Sequence, residues 1–163
     1  MAATAIFYRG MFKHQLELMP SAQEQEKSIR LFMQPHSRLP IKELRDDPPS
    51  PMNPVILYLS TNEDFARVSW RAEIIDWRDK QKLSEEERQQ VDREVRYYDS
   101  GLFGIEEGMV NLLQIRNLVN FDSGFSVTEL TKIENGRAVS ENAFWSGWIY
   151  VRERESRQHD DGE

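Results

Sequence analysis

No cysteine occurs among the 163 residues, which excludes disulfides, thiolate catalysis, Cys-ligated zinc and iron–sulfur clusters. The three histidines, His14, His36 and His159, share no metal-ligand spacing, so neither a metal nor any other cofactor is expected. No apolar run approaches the roughly 18 residues needed to span a bilayer, and no basic-then-apolar leader opens the chain. The expectation is therefore a cytoplasmic protein without a membrane partner. Positive charge is also short: 21 Lys and Arg stand against 28 Asp and Glu, a net charge of -7. A field of that sign repels phosphate backbones and anionic lipid, so any nucleic-acid site has to be a local patch. Gly-rich phosphate loops, GxSxG elbows and HExxH motifs are all missing. The adjacent acid pairs Asp46–Asp47 and Glu106–Glu107 read as solvated charge rather than paired acid–base groups. No catalytic residue is nominated, and the balance leans away from an enzyme.

Large rings are plentiful. Four Trp, five Tyr and eight Phe give a chain of mean hydropathy -0.69 enough apolar bulk for one core, and its length is too short for two. The expectation is a single α+β domain over residues 1–151, with a Pro-rich loop at 34–54 and a disordered charged tail at 152–163. That loop holds six of the seven prolines and is either wrapped on the core or a linker to an N-terminal segment.

Periodicity supplies the elements. Ala5 to Tyr8 reads as a short strand. The following MFKHQLEL and SAQEQEKSIRLFM read as helical segments interrupted at Pro20, with Ser21 and Glu24 spaced as a capping box and a strand-like alternation at Ile29, Leu31 and Met33. Val55 to Leu59 is a short unbroken apolar run, as in a central strand buried on both faces. After a turn at Thr61 to Asp64, Val68, Trp70, Ala72 and Ile74 alternate with Arg67, Ser69, Arg71 and Glu73, which predicts a hairpin partner with one apolar face. LSEEERQQVDREVRYY opens with a capping box at Ser84 and Glu87, carries acids in its first turn and aligns Val91, Val95 and Tyr98 on one side of a helix. A Gly-rich loop, a strand over VNLLQIRNLV and a short helix from Ser126 to Ile133 closed at Asn135 and Gly136 come next. Trp148 to Val151 forms a closing strand.

Two groups of residues point to recognition. Phe144, Trp145, Trp148 and Tyr150 crowd into NAFWSGWIYV, and Trp70 and Trp77 lie on or near the alternating strand; such rings either build the core or sandwich a base. Trp70 shares the phase of Val68 and Ile74 and reads as core. Trp77 and Trp145 stay open between pocket and core, and Trp148 reads as part of a regular strand face with Tyr150. Arg67, Arg71, Arg78, Lys80 and Lys82 lie within sixteen residues and are the densest cluster able to supply a basic rim, Arg67 and Arg71 sharing one polar face. The alternative is an ordinary solvated face paired with Glu73, Asp76 and Asp79.

The apolar strand ILYLS, its polar turn, the strand ARVSWRAEIIDW with an acidic helix after it, and the late FSVTELTKI segment together resemble the PUA-like superfold, particularly EVE-type and ASCH-type domains. The resemblance covers roughly residues 54–151. It implies a curved, mostly antiparallel sheet or small barrel with flanking helices, and a pocket for a modified or flipped nucleobase in DNA or RNA, as in restriction, defence or RNA modification. Carried over, the pocket draws on Ser60, Phe65, Trp77, Phe125 and Trp145. The acidity and the Pro-rich entry depart from that pattern. They leave open an acidic, protein-binding accessory or regulatory module that makes no nucleic-acid contact.

Overall fold

A computed structural model of the chain describes residues 3–26, 46–79, 82–99, 111–142 and 148–154. In chain order these form β1 (Thr4–Met11), α1 (Lys13–Glu26), β2 (Val55–Thr61), β3 (Arg67–Asp79), α2 (Glu85–Asp99), β4 (Asn111–Ser126), a single 3-10 turn (Val127–Glu129) and β5 (Trp148–Arg152). The architecture is α+β. The five strands lie in the order β4-β3-β2-β1-β5, with β1 and β2 parallel and the other three pairings antiparallel. β4 and β5 are the two edges, so the sheet does not close into a barrel. Residues 131–133 run beside the outer edge of β5, where Arg152 N–H donates to the Thr131 carbonyl at 2.9 Å and Ile133 N–H to the Tyr150 carbonyl at 3.1 Å.

Alternation along each strand loads both faces. On one, Ile6, Val55, Leu57, Leu59, Trp70, Ala72, Ile74, Ile115 and Trp148 pack with Leu16 and Met19 of α1 and Val91 of α2. On the other, Phe7, Ile56, Tyr58, Val68, Phe125 and Val151 pack beneath Val127, Leu130 and Val139. β2 is buried at all seven positions, as its unbroken apolar run predicts for a strand covered on both sides.

The expected phase of β3 fails at Val68. A bulge between Val68 and Trp70 in the β3–β4 pairing inserts an odd step, so Val68 falls in the second cluster while Trp70, Ala72 and Ile74 stay in the first. α1 also differs from expectation, because it runs through Pro20 without interruption and places Ser21 inside the helix rather than at a cap. Its start is secured instead from β2's far end: Asn62 Oδ1 accepts Lys13 N–H at 3.0 Å, and Asn62 N–H donates to the Met11 carbonyl at 2.9 Å. The capping box of α2 forms as its spacing predicts, with Glu87 N–H donating to Ser84 Oγ at 3.1 Å and Ser84 N–H to Glu87 Oε1 at 3.2 Å. The helix expected after Ser126 shrinks to one 3-10 turn, capped by Thr128 N–H donating to Ser126 Oγ. Leu130 then turns extended, and Thr131 bridges Ala138 around Gly136.

One boundary moves as well. Residues 152–154, expected at the head of a disordered tail, are held: Glu153 N–H donates to the Ala3 carbonyl at 2.6 Å, and Arg154 N–H to Tyr58 Oη at 2.8 Å. Of the Pro-rich loop, residues 46–54 are described and sit against the sheet, where Arg116 donates from Nη2 to the Pro51 carbonyl at 2.9 Å and from Nε to Glu73 at 2.8 Å. The strand-like alternation at 29–33, and residues 34–45, lie outside the described residues. Among the described residues no helix is long and apolar enough to cross a membrane.

Candidate functional site

Registers place Trp148, Tyr8, Leu59 and Trp70 in one row across β5, β1, β2 and β3. Trp77 stands seven residues beyond Trp70 on β3. On a flat sheet, at about 3.3 Å per residue and about 4.8 Å per strand, it would lie roughly 27 Å from Trp148. Yet the two indole centroids are 4.8 Å apart, with planes inclined by 52°. The far half of the β3–β4 ribbon must therefore curl over the first face toward β5. The pairing of these strands is irregular at three points, Val68/Trp70, Arg71/Glu73 and Ile74/Asp76, and bulges increase local twist and bend a ribbon.

The curl gathers Trp77, Trp148, Tyr150 and Tyr8 at the margin of the first cluster. Tyr150 stands 6.3 Å from Trp148, and burial pushes the Tyr8 phenol above its ordinary value, which keeps it neutral. Trp148 is 5% exposed, and its indole Nε1 is, among the described residues, a buried side-chain polar atom with no hydrogen-bond partner. Such groups are rare in folded proteins and call for an explanation. The immediately preceding segment, including the expected pocket residue Trp145, lies outside the described residues.

The remaining expected pocket residues are dispersed. Trp77 belongs to the first face, whereas Phe125 is 7% exposed within the second, against Tyr58 at 5.7 Å and beneath the Arg154 guanidinium at 4.2 Å. The sheet itself separates these two rings, so they line no common pocket. Ser60 is fully buried at the end of β2, where its Oγ accepts Gly10 N–H at 3.1 Å. Phe65 is 45% exposed in the β2–β3 turn, with the Arg9 guanidinium 4.9 Å from its ring centroid.

The basic cluster does not assemble as expected either. Arg71 pairs with Tyr58 and Val119 and so shares the second face, whereas the bulge at Val68/Trp70 sends Arg67 to the first. Arg78 is held at 2.9 Å by Glu87 of the acidic helix and lies 3.9 Å from Asp76 on its own strand. Lys82 is exposed, and Lys80 lies outside the described residues. Sequence reasoning missed Trp148 and Tyr8 as site residues. The alternation of Trp148 with Tyr150 signalled a shared face, but nothing local signals which distant strand end will curl over it.

No protein-family model, curated protein or solved structure matches this chain.

Proposed function

We propose that this protein is a PUA-like recognition module that receives a single planar nucleobase, modified or flipped out of a strand, at Trp77, Trp148 and Tyr150. The observation that carries the reading is the pairing of close indole rings with an unpaired buried donor, since aromatic faces hold a base and polar edges read it. The acidity of the chain and the pairing of Arg78 with Glu87 favour a site that takes one base over a groove that tracks a phosphate backbone.

The test is titration of the protein by tryptophan fluorescence with nucleosides and with short DNA and RNA oligonucleotides carrying plain or methylated bases. Saturable quenching with micromolar to millimolar affinity is expected. Trp77→Ala is expected to remove roughly 1–3 kcal/mol of binding, the usual worth of one base–aromatic stack. A weak dependence on salt is expected for a free nucleoside and a steep one for a base presented in a strand. Absence of saturable binding across the panel rejects the reading.

A protein-binding accessory role is the second reading, favoured by Phe12 and Phe65. These rings are 46% and 45% exposed around the junction of β1 and β2, where Lys13 and Glu63 pair at 3.0 Å.

A further inference from the structure

The orphan donor at Trp148 restricts what the site can hold. A buried N–H without a partner forfeits its hydrogen bond to water, a loss recovered only when an acceptor arrives. Beside Trp148 the structure places the rings of Trp77 and Tyr150, with Tyr8 opposite it on β1. An apolar ligand of the same shape would stack but leave the N–H unpaired.

Building on the base-recognition reading, we infer that the ligand is a heteroaromatic ring bearing a carbonyl oxygen or unprotonated ring nitrogen, and that Trp148 Nε1–H donates to that atom. Trp148 is thereby the specificity-determining residue of the site, while Trp77 supplies stacking area. A purine or pyrimidine ring meets this description, whether free as a nucleoside or presented from a strand.

The experiment pairs acceptor-bearing nucleosides with analogues in which C–H replaces one acceptor: guanosine with 7-deazaguanosine, and adenosine with 7-deazaadenosine and 1-deazaadenosine. Each is titrated against the wild type and Trp148→Phe, which keeps a ring and removes the donor. For the pair whose altered atom is the acceptor, the wild type is expected to prefer the parent by roughly 5- to 10-fold, and Trp148→Phe to lose that preference. The second measurement needs no variant: in a ¹H–¹⁵N spectrum of the wild type, saturation with the preferred nucleoside is expected to move the Trp148 indole N–H resonance downfield. Binding that is equally tight to wild type and Trp148→Phe for every parent, with an unmoved indole resonance, overturns this inference while leaving base recognition intact. Failure of every nucleoside and oligonucleotide to bind overturns both.

Discussion

The indoles of Trp77 and Trp148 meet at 4.8 Å although three strand-to-strand steps separate β3 from β5 in the sheet. No hydrogen-bonded strand pairing joins β3 to β5, so this ring contact ties the curled ribbon to the edge strand. Trp77→Ala is expected to destabilise the protein by roughly 2–3 kcal/mol, below the 3–5 kcal/mol of a fully buried ring because Trp77 is only partly buried. Trp148→Ala is expected to cost more. The double variant is expected to fall short of the sum by about 0.5–1.5 kcal/mol, the coupling of one aromatic pair. Urea unfolding of the four proteins measures it, and strict additivity would show that the ribbon is held elsewhere.

Glycine substitutions separate crowding from backbone strain. Gly10, Gly124 and Gly136 all have positive φ, at +79°, +62° and +69°. A methyl group at Gly136 meets nothing within 4 Å, so Gly136→Ala is expected to cost only the left-handed penalty of about 1–2 kcal/mol. At Gly10 the added carbon runs into the Phe65 ring, an exposed side chain able to swing away. At Gly124 it runs into the Val68 carbonyl oxygen, which belongs to the paired neighbouring strand. The expected order of destabilisation is Gly124→Ala, then Gly10→Ala, then Gly136→Ala. Phe65→Ala is expected to rescue part of the Gly10→Ala loss. Thermal unfolding ranks them, and an equal effect at all three sites would contradict the packing argument.

Local chemistry was legible where it is local. The Ser84/Glu87 spacing announces a cap that depends only on residues three apart, and the β2 run announces a strand buried on both faces. Trp70 was legible as core from its phase with Ile74. What escaped depends on distant partners. Asn62, just past the neighbouring strand β2, caps α1 at Lys13, a partner forty-nine positions away in the chain. The bulge at Val68 exists only in the pairing with β4, and it is what separates Arg67 from Arg71. Trp77 and Phe125 look equally eligible as pocket rings until the sheet is seen to pass between them. Trp148 looks like an ordinary strand residue until the ribbon curls over it.

Acid should weaken the start of α2. The Ser84 backbone N–H, then the Arg78 guanidinium and the Ser84 hydroxyl, hold the Glu87 carboxyl below its ordinary value of 4.5. A depressed value in the folded state means that this contribution is present above pH 4.5 and fades as the pH falls through the folded value. Glu87→Gln is therefore expected to be less stable than the wild type at pH 7, with the gap narrowing below pH 4.5. Ser84→Ala is expected to cost about 0.5–2 kcal/mol at pH 7 through loss of the cap. Denaturant midpoints between pH 7 and 3 decide this, and a gap that stays constant across that range would remove Glu87 from the cap.

The opposite end of the scale tests how the chain is fastened after β5. Tyr58 is 3% exposed on the second face, and its hydroxyl oxygen accepts the Arg154 backbone N–H at 2.8 Å. The Arg154 guanidinium lies over Phe125 at 4.2 Å and reaches Glu129 at 2.9 Å, so one residue joins β2, β4 and the 3-10 turn. Arg154→Ala is expected to cost about 1–2 kcal/mol through loss of a partly shielded ion pair and its ring contact. Arg154→Lys is expected to recover only part of this, because an ammonium cannot lie flat on the ring while it binds the carboxylate. Burial pushes the Tyr58 phenol above its ordinary value of 10.0, outweighing the Arg154 N–H, which favours the ionised form. A raised value in the folded state means that the contribution is intact below pH 10 and is lost as the pH rises toward the folded value. Tyr58→Phe, which cannot ionise, is expected to be less stable than the wild type at pH 8 through the unpaired Arg154 N–H. That deficit is expected to shrink as the pH rises above 10, because the wild type loses the Tyr58 contribution on top of the Tyr8 loss that both proteins share. Equal pH dependence of the two proteins above pH 10 would mean that the Tyr58 hydroxyl is reached by solvent, and that Arg154 does not seal it.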